Sequence, residues 1–336
     1  MRKRNVPLVL WVLASCTVSD NSTHSFDLAP PEVPGYWRPI IGEYAEGSDT
    51  VSVLEEDGSL VLLFWGGERF QLSALTDGAF ETDSNLIVET VTNVSGIGVT
   101  LSVDGKIFSR LSLGAADGGT FRITPIRDPD ELLMEALGAS PPEEEGDFKP
   151  SDLAELAVLD STIALDIRYA TSNNFMGEVF YSQPKAFLQR PAAEALVRAH
   201  QWLGDWGYGL LIHDGYRPWY VTKMFWDATP EELRVFVANP ADGSRHNRGC
   251  AVDLTLYDLK TGAPVTMTGG YDEMSPRSYP DYPGGTDRQR WHRDLLREAM
   301  EAQGFTVYEA EWWHFDFNDW PNYRIGNQRF EELSVR

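Results

Sequence analysis

One stretch of ten residues, 244–253, combines an imidazole and a carboxylate at a spacing that suits metal binding. His246 and Asp253 are separated by a segment that contains Gly249, and a turn at this glycine would bring a ring nitrogen and a carboxylate oxygen to one cation. Taken alone, the pair is better explained as a surface His and a capping Asp, because such spacings often arise by chance. A metal site therefore needs another ligand from elsewhere in the chain.

A second stretch, residues 311–314, offers that ligand. His314 can complete a set of three protein ligands, and three ligands with one open position for water are typical of a catalytic zinc site. Glu311, three residues earlier, can address the water without binding the metal itself. The alternative is a packed aromatic strand with polar residues at its edge, since aromatic residues surround both side chains.

A third stretch, residues 214–218, carries a candidate cation. Pro218 favours an extended backbone at Arg217, which would present the guanidinium from the end of the apolar strand at 210–212. An isolated Arg near a strand end is more often a solvated charge or an ion-pair partner.

Together the three stretches resemble the D-alanyl-D-alanine dipeptidases. The Ser-x-His-x-x-Gly-x-Ala-x-Asp motif of that family is matched at each fixed position, by Ser244, His246, Gly249, Ala251 and Asp253. Its Glu-x-x-His motif is matched by Glu311 and His314, and its Tyr-Arg-Pro segment by residues 216–218. Further likeness lies at 166–177 and 271–278, so that the resemblance spans roughly residues 155–330.

The resemblance implies a role for each matched residue. His246, Asp253 and His314 are expected to bind one Zn²⁺ per chain, with Glu311 as general base and then general acid. Arg217 is expected to stabilise the oxyanion. Ser244 is expected to contact the substrate or to support the site, since water, not a serine, attacks in this scheme.

Other reactive side chains have simpler explanations. Cys250 is expected to be a small buried filler, because a metal site with its own water leaves a thiol no task. His213 is expected to be structural. Exposure is the expectation for His24 in the N-terminal segment and for His200 and His292 on predicted helices.

The elements that must position these groups lie in residues 151–336, which we expect to form an α+β peptidase domain with a central antiparallel sheet flanked by helices. Apolar residues at helical spacing, with Pro191 at the start and Gly204 at the end, predict a helix over 191–204. A second helix is predicted over 291–303. Strands are predicted at the following positions: 210–213, 251–256 and 305–308.

Residues 35–125 have a different pattern, in which short β-rich runs alternate with turn dipeptides. Asp57-Gly58, Gly66-Gly67 and Asp104-Gly105 predict consecutive antiparallel hairpins, and hence a small all-β domain. This region resembles the small β-domains of bacterial secreted hydrolases and holds no His/Asp/Glu cluster, so we expect it to position, bind or cap. Residues 126–150, rich in proline and acidic residues, are expected to form a linker.

The N-terminus predicts export. Residues 1–15 have a basic start and a short apolar core, as in a signal peptide, and the sequence before Cys16 resembles a bacterial lipobox. We therefore expect lipidation at Cys16, a tether over 16–34 and attachment to a membrane of the bacterial cell envelope on the periplasmic side, with the outer membrane favoured where one exists. An ordinary secretory signal with an incidental cysteine is the alternative.

The net charge of the chain argues against one class of partner. The chain of 336 residues has a net charge of −23, so a nucleic-acid partner is not expected, because phosphate binding needs a basic surface. The expected activity is zinc-dependent hydrolysis of D-Ala-D-Ala to two D-alanines. Two alternatives are open: a D,D- or L,D-carboxypeptidase or endopeptidase acting on peptidoglycan stems, and a non-catalytic envelope-binding lipoprotein.

Overall fold

The computed structural model describes residues 28–64, 66–76, 78–92, 99–113 and 120–333. Cys16, the predicted signal peptide, most of the predicted tether and His24 lie outside these ranges. Within them, no helix is both long enough and apolar enough to cross a bilayer.

The first unit is a closed barrel of eight antiparallel strands that pair in chain order, with β1 and β8 joined through Tyr44 and Arg110. Asp57-Gly58 and Asp104-Gly105 have positive φ at both positions, as the tight hairpin turns require, so these two predicted turns are confirmed. The strands are β1 (Gly42–Glu46), β2 (Asp49–Glu56), β3 (Ser59–Phe64), β4 (Arg69–Thr76), β5 (Ala79–Thr82), β6 (Ile87–Thr92), β7 (Val99–Val103) and β8 (Lys106–Arg110).

Alternation along these strands gives the barrel its own core, because every second side chain points inward. Val53, Leu62 and Val88 are almost completely buried there, and Tyr44 donates its hydroxyl hydrogen to the carbonyl of Ile40 at 2.8 Å. The small all-β domain predicted from the sequence is therefore a barrel.

The second unit is built on a mixed sheet of five strands in the order β10-β12-β13-β15-β14. The predicted antiparallel sheet is present except at one edge, where β10 pairs with β12 in parallel. Its strands are β10 (Ala164–Leu165), β12 (Tyr208–Asp214), β13 (Ala251–Asp258), β14 (Phe305–Tyr308) and β15 (Glu311–Phe317). A separate pair consists of β9 (Leu153–Glu155) and β11 (Phe187–Gln189).

Helices accompany this sheet, as predicted. They are α1 (Pro129–Gly138), α2 (Leu156–Leu159), α3 (Arg190–Gly204), α4 (Trp219–Ala228), α5 (Asp287–Glu301) and α6 (Phe330–Leu333). α3 packs on β12, and α5 packs on β13, β14 and β15. Because side chains alternate along β13, Val252, Leu254 and Leu256 join the apolar core while Asp253 points to the opposite face.

The predicted linker at 126–150 needs correction, because part of it folds and packs. Asp128 caps α1 by accepting hydrogen bonds from the next backbone N–H groups, and Pro129 occupies the first turn. Leu132 and Ala136, one turn apart, are buried in the core of the second unit. The short amphipathic helix was missed because the proline and acidic residues of 126–150 are typical of a linker.

Two of the expected exposed histidines are also corrected. His200 and His292 lie on the buried faces of α3 and α5. His200 accepts a hydrogen bond from the Leu210 backbone N–H at 3.0 Å, and His292 lies 3.0 Å from the Tyr208 hydroxyl. Burial lowers the pKa of His292 to about 4, which keeps the ring neutral.

Candidate metal centre

His246 begins a short 3-10 turn, His246–Arg248, that ends at Gly249 with φ 69°. A side chain at Gly249 would be strained by this left-handed backbone, and its Cβ would lie 2.6 Å from Leu153 Cδ2. Here the chain turns into β13. The Nδ1 of His246 donates to the Gly215 carbonyl at 2.7 Å, which leaves Nε2 free to bind a cation.

Asp253 and His314 are direct partners across β13 and β15, and Asp214 pairs with Asp253 from β12 on the other side. The sheet register therefore sets these three polar side chains in one row. Asp253 Oδ1 lies 3.0 Å from His314 Nδ1 and 3.3 Å from His246 Nε2, and the two ring nitrogens are 3.1 Å apart.

These three atoms fit a tetrahedral cation site. Zinc bonds of about 2.0–2.1 Å at tetrahedral angles place neighbouring ligand atoms roughly 3.3 Å apart, close to the separations found here. All three residues are buried. Asp253 Oδ1 is buried and faces only the two ring nitrogens, with no well-aligned hydrogen bond, so its charge needs either a proton on those rings or a cation between the three atoms.

Two of the predicted ligands, His314 and Asp253, are oriented by a second contact. His314 donates its Nε2 hydrogen to Asp316 Oδ1 at 3.0 Å, which directs Nδ1 toward the other two ligands. The Tyr271 hydroxyl donates to Asp253 Oδ2 at 3.0 Å, so that Oδ1 faces the site. The ligand atoms are thus preset, which reduces the ordering that metal binding must supply.

The neighbouring charges determine the protonation states of the predicted ligands. Burial alone would raise the pKa of Asp253, but His246 and His314 outweigh it and hold that pKa well below the usual value. Burial would lower the pKa of His314, yet Asp316 and Asp253 keep it well above the usual range. In the metal-free chain a proton therefore stabilises the cluster, and metal binding would displace it.

Glu311 opens β15 beside these ligands. Its Oε2 lies 3.7 Å from His314 Nδ1, which is close to the ligand atoms but outside the three-atom cluster. Burial raises the pKa of Glu311 to about 7, with His314 opposing and Asp253 adding to the rise. A bound dication would lower this pKa again. Glu311 is thus placed as a proton carrier next to the site.

Arg217 is buried close to the cluster and fixed by several groups. Its Nε donates to Asp214 Oδ2 at 2.9 Å, Nη2 forms an ion pair with the same oxygen at 2.8 Å, and Nη2 lies 3.6 Å from Asp253 Oδ2. The guanidinium also lies over the rings of Tyr169 and Phe225, at 5.2 and 5.0 Å from their centres. The positive charge cannot move far without leaving Asp214 unpaired.

Ser244 is close to the ligands, but its hydroxyl is directed to the backbone. Ser244 Oγ accepts from the His246 N–H at 3.2 Å and so supports the turn that carries this ligand. Its predicted contact with substrate stays a prediction.

Cys250 is completely buried and its pKa is raised to about 12 by burial, as expected for an inert filler. His213 is buried and stacks on Tyr271, in agreement with a structural role.

Three supporting residues were not given roles from the sequence. Asp316 lies two residues after His314, so the strand period places both on one face, and this spacing was a usable signal. Tyr271 and Asp272 lie in the 271–278 stretch that resembles the family, but their contacts depend on long-range folding. Asp272 accepts from the Tyr169 hydroxyl at 2.9 Å, and burial together with Asp253 and Glu311 raises its pKa well above the usual value.

A separate cavity of 630 Å³ lies between the barrel and the second unit. Its lining includes Glu43, Arg277 and Arg288, and none of the predicted ligands, Glu311 or Arg217. This cavity is therefore not the candidate metal centre.

A buried pair of imidazoles with one carboxylate, flanked by a carboxyl group able to carry a proton and by a fixed guanidinium, is the arrangement of a metal-dependent hydrolase. The family model described as D-ala-D-ala dipeptidase, of the M15 peptidases, matches residues 149–336. Since this match covers more than half of the sequence, the chain belongs to that peptidase family.

Individual relatives agree with the family match. The D-alanyl-D-alanine dipeptidase of Escherichia coli is 33% identical over 180 residues, which cover 54% of this chain and 92% of the relative. The D-alanyl-D-alanine dipeptidase of Streptomyces coelicolor is 35% identical over 189 residues, covering 51% and 94%. A solved LD-carboxypeptidase, LdcB, aligns over 62% of this chain and 86% of its own with 17% identity and a TM-score of 0.30, too low to inform function.

Proposed function

We propose that this chain is a zinc-dependent dipeptidase that hydrolyses D-Ala-D-Ala to two D-alanines. The observation that carries the proposal is the convergence of His246 Nε2, Asp253 Oδ1 and His314 Nδ1 beside Glu311. Zn²⁺ suits this donor set, because two imidazoles and a carboxylate are common ligands of catalytic zinc. The names of the relatives support the choice of dipeptide.

When bound by these three residues, zinc would polarise the scissile carbonyl and lower the pKa of water. Glu311 accepts a proton from the attacking water and later delivers it to the leaving amine. Its buried position beside His314 fits both steps, because burial raises the pKa of this carboxyl group and so opposes the lowering that a bound dication would bring. A protein that only binds ligands would have no use for this proton carrier.

Arg217 stabilises the negative charge that develops on the carbonyl oxygen of the substrate. Asp214 and the rings of Tyr169 and Phe225 hold the guanidinium in place before the substrate arrives. A preset cation in a site with little water stabilises a developing oxyanion strongly. Asp214 also supplies the countercharge that makes burial of Arg217 tolerable.

The substrate is tested by supplying free D-Ala-D-Ala and a peptidoglycan pentapeptide ending in D-Ala-D-Ala in parallel. Release of D-alanine from the free dipeptide, at a kcat/KM far above that for the pentapeptide, is expected. Activity on the pentapeptide alone would replace this proposal with a carboxypeptidase. Activity on neither, with zinc bound, would favour a binding protein.

We also propose that the protein is exported and anchored in the cell envelope through a lipid at Cys16. The basic start, the short apolar core and the residues before Cys16 support this. Expression in a bacterial host with radiolabelled palmitate should label the full chain, and Cys16→Ser should remove the label. Persistent membrane labelling of Cys16→Ser would contradict the anchor.

A further inference from the structure

The barrel meets the second unit through a buried ion pair. Glu43 in β1 accepts hydrogen bonds from Arg277, with Nε at 3.0 Å, and from the Tyr282 hydroxyl. Both charged residues are only 9% exposed. Since an unpaired charge at this depth is costly, the pair ties the position of the barrel to that of residues 277–282.

Arg277 lies near the end of a compact loop, residues 269–278, which we call the site loop. Glu273 is fully buried inside it and accepts from the Gly270 N–H at 2.8 Å and the Ser275 hydroxyl at 2.7 Å. The two ends meet, because a Cβ on Gly269 would lie 2.8 Å from the Cβ of Arg277. These internal contacts couple the two ends of the loop, so a displacement of Arg277 is expected to reach Tyr271.

The same loop carries a group that touches a predicted metal ligand. The Tyr271 hydroxyl donates to Asp253 Oδ2 at 3.0 Å, and the Tyr271 ring packs edge-on against Trp313. Asp272, with φ 56°, accepts from Tyr169 on the other side. The site loop therefore connects Arg277 at its base to Asp253 through Tyr271.

A second barrel contact fixes the chain beyond the site loop. The Glu55 carboxylate accepts from the Asp287 N–H at 2.8 Å, at the start of α5. The Glu55 N–H donates to the Gly285 carbonyl at 3.0 Å, and the Asp57 N–H to Asp287 Oδ2 at 2.7 Å. The barrel thus holds residues 277–287 at both ends.

We infer that the barrel is a positioning element for the metal centre, and that Glu43 is its principal residue. Through Arg277 and the site loop, Glu43 holds Tyr271 against Asp253 and so keeps Asp253 Oδ1 directed at the other ligands. The inference rests on the proposed zinc site. Glu43 lies outside residues 149–336, so this support comes from a part of the chain that the family match does not include.

Glu43→Gln in the full chain tests the inference, with Asp49→Asn as matched control. Asp49 is an exposed barrel carboxylate that pairs with Lys106 of the barrel, so its loss removes one charge without touching the site loop. For Glu43→Gln we expect amide hydrogen exchange in 269–278 to accelerate at least about tenfold and zinc affinity, measured by chelator competition, to fall about tenfold, the lower end for partners that orient metal ligands.

Kinetics should follow the same pattern. In Glu43→Gln, kcat should fall while KM changes little, because Tyr271 orients a metal ligand in this account. Asp49→Asn should match the parent chain in every measurement. Exchange and zinc affinity that are unchanged in Glu43→Gln would overturn the inference.

If Glu43→Gln does not fold, Tyr282→Phe provides the same test, because it removes one hydrogen bond to Glu43 and no charge. A smaller change in the same direction, about threefold in exchange and zinc affinity, is expected, on the scale of one hydrogen bond. No change would overturn the inference. The exchange result does not depend on the substrate, so lack of dipeptidase activity in the parent chain would sink the proposed function alone.

Discussion

The barrel and the second unit bury different kinds of side chain. In the described part of the barrel the core is a cluster of mostly aliphatic and aromatic side chains that includes Tyr44, and two buried carboxylates, Glu43 and Glu55, meet the second unit. The second unit buries a connected set of charges at one face of its sheet, including Asp253, His314 and Arg217. The barrel is thus organised for stability and contact, and the second unit for chemistry.

The difference has an energetic consequence. Apolar burial stabilises a fold wherever the packing is good, whereas buried charges are tolerated only while each has its partner. Substitutions in the barrel core should therefore change stability first. Substitutions among the buried charges should change metal binding and turnover first.

The largest effect is expected for Glu311→Gln, which keeps the shape of the side chain but removes its ability to carry a proton. Turnover of D-Ala-D-Ala should fall about a hundredfold to ten-thousandfold, the contribution typical of a general base. Zinc content should stay at the parent level, since Glu311 is not among the three ligands. Steady-state kinetics with metal analysis checks both, and near-parent turnover would rule out this base.

In the barrel, Leu62→Ala should lower the free energy of unfolding by about 2–5 kcal/mol, because Leu62 is completely buried and its loss leaves a cavity. Urea unfolding followed by fluorescence measures this change. A loss below about 0.5 kcal/mol, the usual range for surface substitutions, would mean that the barrel core is not packed as described.

Asp316→Asn addresses the orientation of a ligand. The asparagine can still accept a hydrogen bond from His314, but the charge is gone, so zinc affinity should fall about 10–100-fold. Chelator competition gives the value. Affinity equal to that of the parent chain would show that the charge of Asp316 has no part in the site.

The smallest effect is expected at Glu56, which forms an exposed ion pair with Arg69 on the barrel surface. Glu56→Gln should change the free energy of unfolding by about 0.2–1 kcal/mol at most, because water screens such pairs. Comparison with Leu62→Ala in the same urea experiment sets apolar burial against surface charge. If Glu56→Gln lowered the free energy of unfolding more than Leu62→Ala, apolar burial would not be the main source of stability in the barrel.

The barrel hairpins were predictable because their signals are local. Asp57-Gly58 and Asp104-Gly105 adopt the positive φ that tight hairpin turns need and that these residue types favour. Closure through Tyr44 and Arg110 was not predictable, since it joins strands far apart in sequence. α1 was missed because the acidic and proline-rich residues after it dominated the composition of its segment.

The residues of the candidate metal centre were proposed from family motifs, and only the fold shows how they are arranged. Residue spacing alone did not decide between a metal site and a surface His with a capping Asp. The structure brings His246, Asp253 and His314 together because a turn at Gly249 and the β13–β15 register act jointly. His200 and His292 were mispredicted because a helix has a buried face, and polar side chains are accepted there when they find hydrogen bonds.

Whether His246, Asp253 and His314 bind zinc can be measured by zinc-edge X-ray absorption on the full chain after zinc loading, combined with metal analysis. We expect one zinc per chain, bound by two imidazole nitrogens and one carboxylate oxygen, with no sulfur ligand. Loss of one imidazole from the spectrum of His314→Ala would complete the assignment. A sulfur ligand, which would implicate a cysteine, or the absence of stoichiometric zinc would contradict this ligand set.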